Sequence, residues 1–97
     1  MKACLIMYNA DADKEVFSIL RTSGKVKHYI KWNDVRGTGS GGLQVLGPLE
    51  EAKYCVVLVA LNDEDSEAIY TEIQTLRKEM INKTGLAVLV LNAEKIG

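Results

Sequence analysis

The sequence predicts an α+β fold: a four-stranded antiparallel sheet with two helices on one face, in the order β-α-β-β-α-β. Three observations predict it. Two helical periods are separated by two adjacent strand-like stretches. Short apolar runs open and close the chain, and 97 residues suffice for one domain and one core. An apolar content of 47%, a charged content of 26% and a net charge of −1 fit a folded globular chain and do not favour nucleic acid as a partner.

Residues 2–8 (KACLIMY) read as a short apolar strand. Asp11 is placed to cap a helix whose apolar positions Ala12, Val16, Ile19 and Leu20 fall on one face, with Gly24 as its C-cap glycine. From Lys25 the period changes to two. Val26, His28, Ile30 and Trp32 alternate with Lys25, Lys27, Tyr29, Lys31 and Asn33, giving an edge strand with one apolar and one largely basic side. His28, the only histidine, is expected to pack on the apolar side.

Residues 54–61 (YCVVLVAL) form an unbroken apolar run rich in β-branched residues, as a buried strand requires. The next segment opens with Asn62, Asp63, Glu64 and Asp65 and closes with Arg77, Lys78 and Lys83, its acidic and basic ends matching the helix dipole. Its apolar residues Ile69, Ile73, Leu76 and Met80 recur at helical spacing. Gly85 ends the connection, and residues 86–91 (LAVLVL) make the last strand. This order is the ferredoxin-like arrangement.

Strands one, three and four are apolar on both sides, whereas two helices cover one face only of a four-stranded sheet about 19 Å wide. A second apolar face in a soluble chain marks an interface, so a closed homo-oligomer with inward-facing sheets is expected.

The connection at about 35–53 holds five of the eight glycines and the only proline. Gly37, Gly39 and Gly42 fit the G-x-G-x-x-G spacing, but residues 43–46 meet Gly47-Pro48 and leave no room for the helix a dinucleotide fingerprint needs. No G-K-[ST] follows, which excludes a P-loop. RNA recognition would need aromatic platforms on the central strands, and only Tyr8 and Tyr54 come near, both at strand ends. The loop after strand one has neither the C-x-x-C of a copper chaperone nor the arginine of an acylphosphatase. Cys4 and Cys55 sit in apolar runs as reduced, buried thiols. No catalytic triad, paired carboxylate site or metal cluster assembles from the sequence, so no catalytic residue, resident cofactor or metal is expected. No stretch is long and apolar enough for a membrane span, and the N-terminus does not resemble a signal peptide, which predicts a cytoplasmic chain.

These features resemble the PII signalling proteins, and within them the short PII-like proteins associated with bacterial efflux-pump genes. The resemblance rests on Lys31-Trp32-Asn33-Asp34-Val35, the V-x-G-x-G turn Val35-Arg36-Gly37-Thr38-Gly39, and the run at 54–61. It continues through the Asn62-Asp63-Glu64 entry, the Lys83-Thr84-Gly85-Leu86 turn and the ending at 91–96. It implies one PII-like domain over 1–97, a homotrimer, and a T-loop at about 35–53. It further implies a regulatory, non-enzymatic role in which a small ligand, such as an adenine nucleotide or another anion, binds in clefts between subunits. The ligand contacts it implies are Arg36, Gly37, Thr38, Gly39, Lys83, Thr84 and Gly85, with Leu43, Val45, Leu46 and Leu49 presented to a partner protein such as a membrane transporter or efflux protein. The loop lacks a tip tyrosine for covalent modification and the glutamine that helps bind 2-oxoglutarate in the nitrogen-sensing members. The turn at 82–85 is trimmed, and the loop has no histidine for metal sensing. The alternatives are a trimeric metal-tolerance protein of the CutA type, which would need Cys4, Cys55 or His28 at a surface, and a ligand-free assembly subunit.

Overall fold

The computed structural model describes residues 1–37, 52–80 and 85–94. The chain runs β1 (Lys2–Asn9), a 3-10 turn (Ala10–Ala12), α1 (Asp13–Thr22), β2 (Ile30–Gly37), β3 (Ala52–Leu61), α2 (Asp63–Glu79) and β4 (Leu86–Asn92). The four strands form one sheet in the order β2-β3-β1-β4, and every pairing is antiparallel. This is the predicted β-α-β-β-α-β arrangement, with β2 on an edge as expected.

Alternation along the central strands sorts the side chains. Cys4, Ile6 and Tyr8 of β1 and Cys55, Val57, Val59 and Leu61 of β3 are buried beneath the helices, joined there by Leu86 of β4. Val16, Phe17 and Leu20 of α1 and Ile69 and Ile73 of α2 close this core, with Ile19, Leu76 and Met80 packed at its margin. Both cysteines are buried free thiols, and burial pushes the pKa of each above its ordinary value.

The helix ends follow local chemistry. At α2 the Asn62 side chain accepts from the Asp65 N–H at 2.7 Å, satisfying a donor the helix itself leaves open. At α1 the cap differs from the one the sequence suggests. Asn9, not Asp11, is the capping side chain, accepting from the Asp11 N–H at 2.9 Å. It starts the 3-10 turn, and α1 proper begins at Asp13. Gly24, at φ 71°, takes the left-handed conformation beyond the helix that its position predicts.

Strand β2 corrects the sequence reading in where it starts and in the place of His28. It begins at Ile30 rather than Lys25, because the preceding segment is drawn toward the helices. The Lys25 N–H donates to the Ser23 hydroxyl at 3.2 Å, Lys25 reaches Asp65 at 4.0 Å, and the Tyr29 ring meets Phe17 edge-on at 5.2 Å between centroids. His28 therefore lies outside any strand and is exposed rather than packed. The apolar side of β2 also faces away from the helices. Lys31 stands opposite the buried Val57 on the helix side, whereas Ile30 and Trp32 stand opposite Leu58 and Val56 on the other.

That second face is apolar across all four strands. Register aligns Ile30 with Leu58, Leu58 with Leu5, and Leu5 with Leu89. A neighbouring row joins Trp32, Val56 and Met7. Ile30 is 57% exposed, Trp32 45%, Leu89 48% and Leu91 50%, values far from those of a core. No helix of the described residues covers this side.

Candidate functional site

Two strand ends bring Arg36, Gly37 and Gly85, the described members of the sequence-predicted site, to one end of the sheet. Val35 of β2 stands opposite Tyr54 of β3, Tyr54 opposite Asn9 of β1, and the Asn9 N–H donates to the Gly85 carbonyl at 2.6 Å. Arg36 and Gly37 at the end of β2 therefore share an edge of the fold with Gly85 at the start of β4. Gly85 has φ 68°, a conformation that explains a glycine there. Two strands lie between β2 and β4, so within one chain these groups are roughly 14 Å apart at about 4.8 Å per strand. The structure brings Arg36, Gly37 and Gly85 to the same end but not into contact. Thr38, Gly39, Lys83 and Thr84, and the proposed partner contacts Leu43, Val45, Leu46 and Leu49, lie outside the described residues.

Arg36 does not stand where a regular strand would put it. Pairing runs from Ile30 opposite Leu58 to Trp32 opposite Val56, then shifts, so that Val35 is opposite Tyr54 and Arg36 opposite Lys53. Asn33 and Asp34 together face Cys55: this is a β-bulge. Asp34 has φ 56° and is the one non-glycine among the described residues with a positive φ. Asn33 is tied in place, its Oδ1 accepting from the Cys55 thiol at 3.5 Å.

Lys53 is a residue the sequence reading missed. Its only signal was its position as the charge directly preceding the apolar run at 54–61. Register makes it the cross-strand neighbour of Arg36, and two like charges directly opposed on antiparallel strands repel. Two cations held together at a strand end are a favourable place for a phosphate or carboxylate, with arginine supplying a planar fork and lysine a mobile point charge.

A second polar group braces the strand that carries Arg36. The Tyr8 hydroxyl donates to Asp13 Oδ1 at 2.6 Å, and Lys31 Nζ contacts the same oxygen at 2.8 Å. Lys31 also lies 4.8 Å from the centroid of the Phe17 ring, adding a cation-π contact. Burial works against the Asp13 carboxylate, yet the hydrogen bonds from Lys31 and Tyr8 outweigh it and hold the Asp13 pKa below its ordinary value. Burial, with the Asp13 hydrogen bond, pushes the Tyr8 phenol far up, so it remains a donor throughout the physiological range. The group fastens β1, α1 and β2 together.

The groove between the helices is less suited to an anion. An open groove of about 660 Å³ between α1 and α2 carries Glu15, Glu72 and Glu79 against Lys14 alone. Among the described residues no cluster of His, Cys, Asp and Glu could hold a metal ion, and no helix is long and apolar enough to cross a membrane.

No family model and no curated protein sequence matches the chain. Solved structures do. CPII of Thiomonas intermedia K12 bound to ADP, AMP and acetate superposes with a TM-score of 0.71 at 16% identity, over 93% of this chain and 82% of that one. CPII bound to ADP, AMP and bicarbonate, described as a nitrogen regulatory PII-like protein, gives 0.70 at 16% identity over 98% and 94%. A DUF3240 family protein of Shewanella baltica OS155 gives 0.73 at 9% identity over 99% and 92%. The resemblance read from the sequence therefore holds for the fold.

Proposed function

We propose that this chain, which has the fold of the PII-like proteins, is a non-enzymatic regulatory protein that acts as a homotrimer. In this reading it binds a small anionic ligand, an adenine nucleotide in the first instance, in clefts between subunits. One observation carries the reading. Arg36 on β2 and the Gly85 turn at β4 lie at the same end of the sheet but are separated by β3, which carries Lys53, and by β1. A site divided in this way is completed when the β2 edge of one subunit meets the β4 edge of the next. The apolar face of Leu5, Leu58, Ile30, Trp32 and Leu89 supplies a surface on which copies can meet.

Arg36 and Lys53 neutralise the anion, while Gly37, Thr38 and Gly39 offer backbone N–H groups to it as a nest. Lys83, Thr84 and Gly85 close the cleft from the neighbouring subunit. A ligand that prefers one arrangement of the connecting loop shifts the population toward it. Leu43, Val45, Leu46 and Leu49 then engage or leave a partner, of which a membrane transporter or efflux protein is the kind the resemblance implies. The setting is the cytoplasm. That CPII structures hold ADP and AMP supports a nucleotide as the first ligand to try.

The test is thermal unfolding in the presence of ADP, AMP, ATP, 2-oxoglutarate, bicarbonate and divalent metals. A ligand at one hundred times its dissociation constant stabilises the folded state by about 2.7 kcal/mol. A shift with a nucleotide that disappears in Arg36→Ala supports the reading. Silence across the whole panel removes it in favour of a ligand-free assembly subunit.

A further inference from the structure

We propose that the Asn33-Asp34 bulge is the positioning element of the anion site: it alone turns Arg36 to the side of the sheet on which it meets Lys53. The inference rests on the ligand-site reading above and adds to it the residues that set the site's geometry.

If the pairing of Ile30 with Leu58 and Trp32 with Val56 continued unbroken, Arg36 would fall opposite Ala52 and Val35 opposite Lys53. A one-residue shift carries every later side chain of a strand to the other face. The unbroken strand would turn Arg36 toward the apolar face, beside Trp32, and separate it from Lys53. With the bulge, Val35 takes the apolar side and Arg36 joins the helix side, in register with Lys53.

The surroundings confine the shift to these two residues. Upstream, Lys31 is held by Asp13 Oδ1 at 2.8 Å and by the Phe17 ring, so that part of β2 cannot slide. The extra residue is absorbed by Asp34 in the left-handed conformation, φ 56°, which Asp and Asn tolerate better than other non-glycine residues. Asn33 pins the bulge to β3 through Cys55 Sγ at 3.5 Å. A side chain that disfavours positive φ at position 34 makes the bulged register costly and favours the unbroken one.

Charge and backbone effects have opposite signs at Asp34, which makes the inference testable. Removing its carboxylate takes a negative charge from beside an anion site, so electrostatics alone would tighten binding. Asp34→Asn and Asp34→Gly keep the left-handed conformation accessible and are expected to bind ADP at least as tightly as the unaltered protein. Asp34→Val removes the same charge but disfavours that conformation, and is expected to weaken ADP at least tenfold. Deletion of Asp34 removes the extra residue itself, so an unbroken strand pairs Asn33 with Cys55, Val35 with Tyr54 and Arg36 with Lys53, and this variant should bind ADP like the unaltered protein.

Calorimetric titration with ADP reads the affinities, thermal unfolding confirms that each variant is folded, and cross-strand proton proximities by NMR report whether residue 36 faces residue 53 or residue 52. Weakened ADP binding in folded Asp34→Val, with residue 36 turned away from residue 53, supports the inference. Asp34→Val binding ADP like the unaltered protein, or keeping residue 36 opposite residue 53, overturns it while leaving the site reading intact, and so does a folded deletion variant that keeps Arg36 opposite Lys53 yet fails to bind ADP. An unaltered protein that ignores ADP, or an Arg36→Ala variant that binds it normally, overturns the site reading instead and this inference with it.

Discussion

The two faces of the sheet carry nearly the same chemistry and meet opposite fates. On β1, Cys4, Ile6 and Tyr8 disappear beneath α1 and α2, while Leu5 and Met7 between them keep part of their surface. On β3, Val57 and Val59 are buried and Val56 and Leu58 are only partly so. Composition does not distinguish the sides; the presence of helices does. An antiparallel sheet with one solvated face ordinarily alternates apolar with polar residues. Here the alternation is apolar with apolar, and even the edge strand turns Ile30 and Trp32 outward while its lysine goes inward to Asp13. The covered face accounts for the folding of a subunit. The open face is left uncovered by the helices, and the proposed trimer covers it with copies of the same chain.

This contrast can be broken from either side. The largest effect is expected from Leu58→Asp, at the centre of the open face. A charge there should abolish assembly and leave a single-chain species by sedimentation, whereas an unchanged mass would show that the face is not the contact. Next come two neighbours on one strand. Ile6→Ala opens a cavity in the covered core and should cost about 2–5 kcal/mol at any protein concentration. Leu5→Ala, one residue away on the open face, should lower stability in a concentration-dependent manner, because the loss falls on association. Denaturant titrations at several protein concentrations separate the two, and identical behaviour would erase the distinction between the faces.

Smaller effects test what braces the covered side. The Asn62→Ala variant loses the α2 cap and should lose about 1 kcal/mol in denaturant unfolding. At Asp13 the sign follows from its lowered pKa. The carboxylate contributes stability above the ordinary carboxylate range, and the contribution is lost as pH falls through the folded-state value. Asp13→Asn should therefore be less stable near neutrality, by under about 1 kcal/mol for so exposed a group. The difference should shrink as pH falls below the usual carboxylate range and vanish once the folded-state carboxylate is protonated. A gap that persists or widens in acid would contradict the Lys31-Asp13-Tyr8 account.

The sequence made most of the fold legible where one physical signal dominated. The four- and three-residue spacing of Ile69, Ile73 and Leu76 placed α2, and Asn62 announced its cap. The unbroken β-branched run at 54–61 placed β3. Legibility failed where distant contacts overrode local pattern. The alternation of Val26, His28, Ile30 and Trp32 looks like one strand, but Tyr29 is held by Phe17 and Lys25 by Asp65, so pairing starts only at Ile30. Of the proposed site, resemblance names Arg36, Gly37 and Gly85. Lys53 was not legible, because its meeting with Arg36 depends on a bulge, and Asn33-Asp34 reads in sequence as an ordinary polar pair.

The central claim is that the open face is closed by copies of the chain, which also completes the divided site. Sedimentation equilibrium of the unaltered protein at micromolar concentration tests it most directly. The account predicts a mass of three chains, about 32 kDa from a 10.7 kDa subunit. A mass equal to one chain would contradict it.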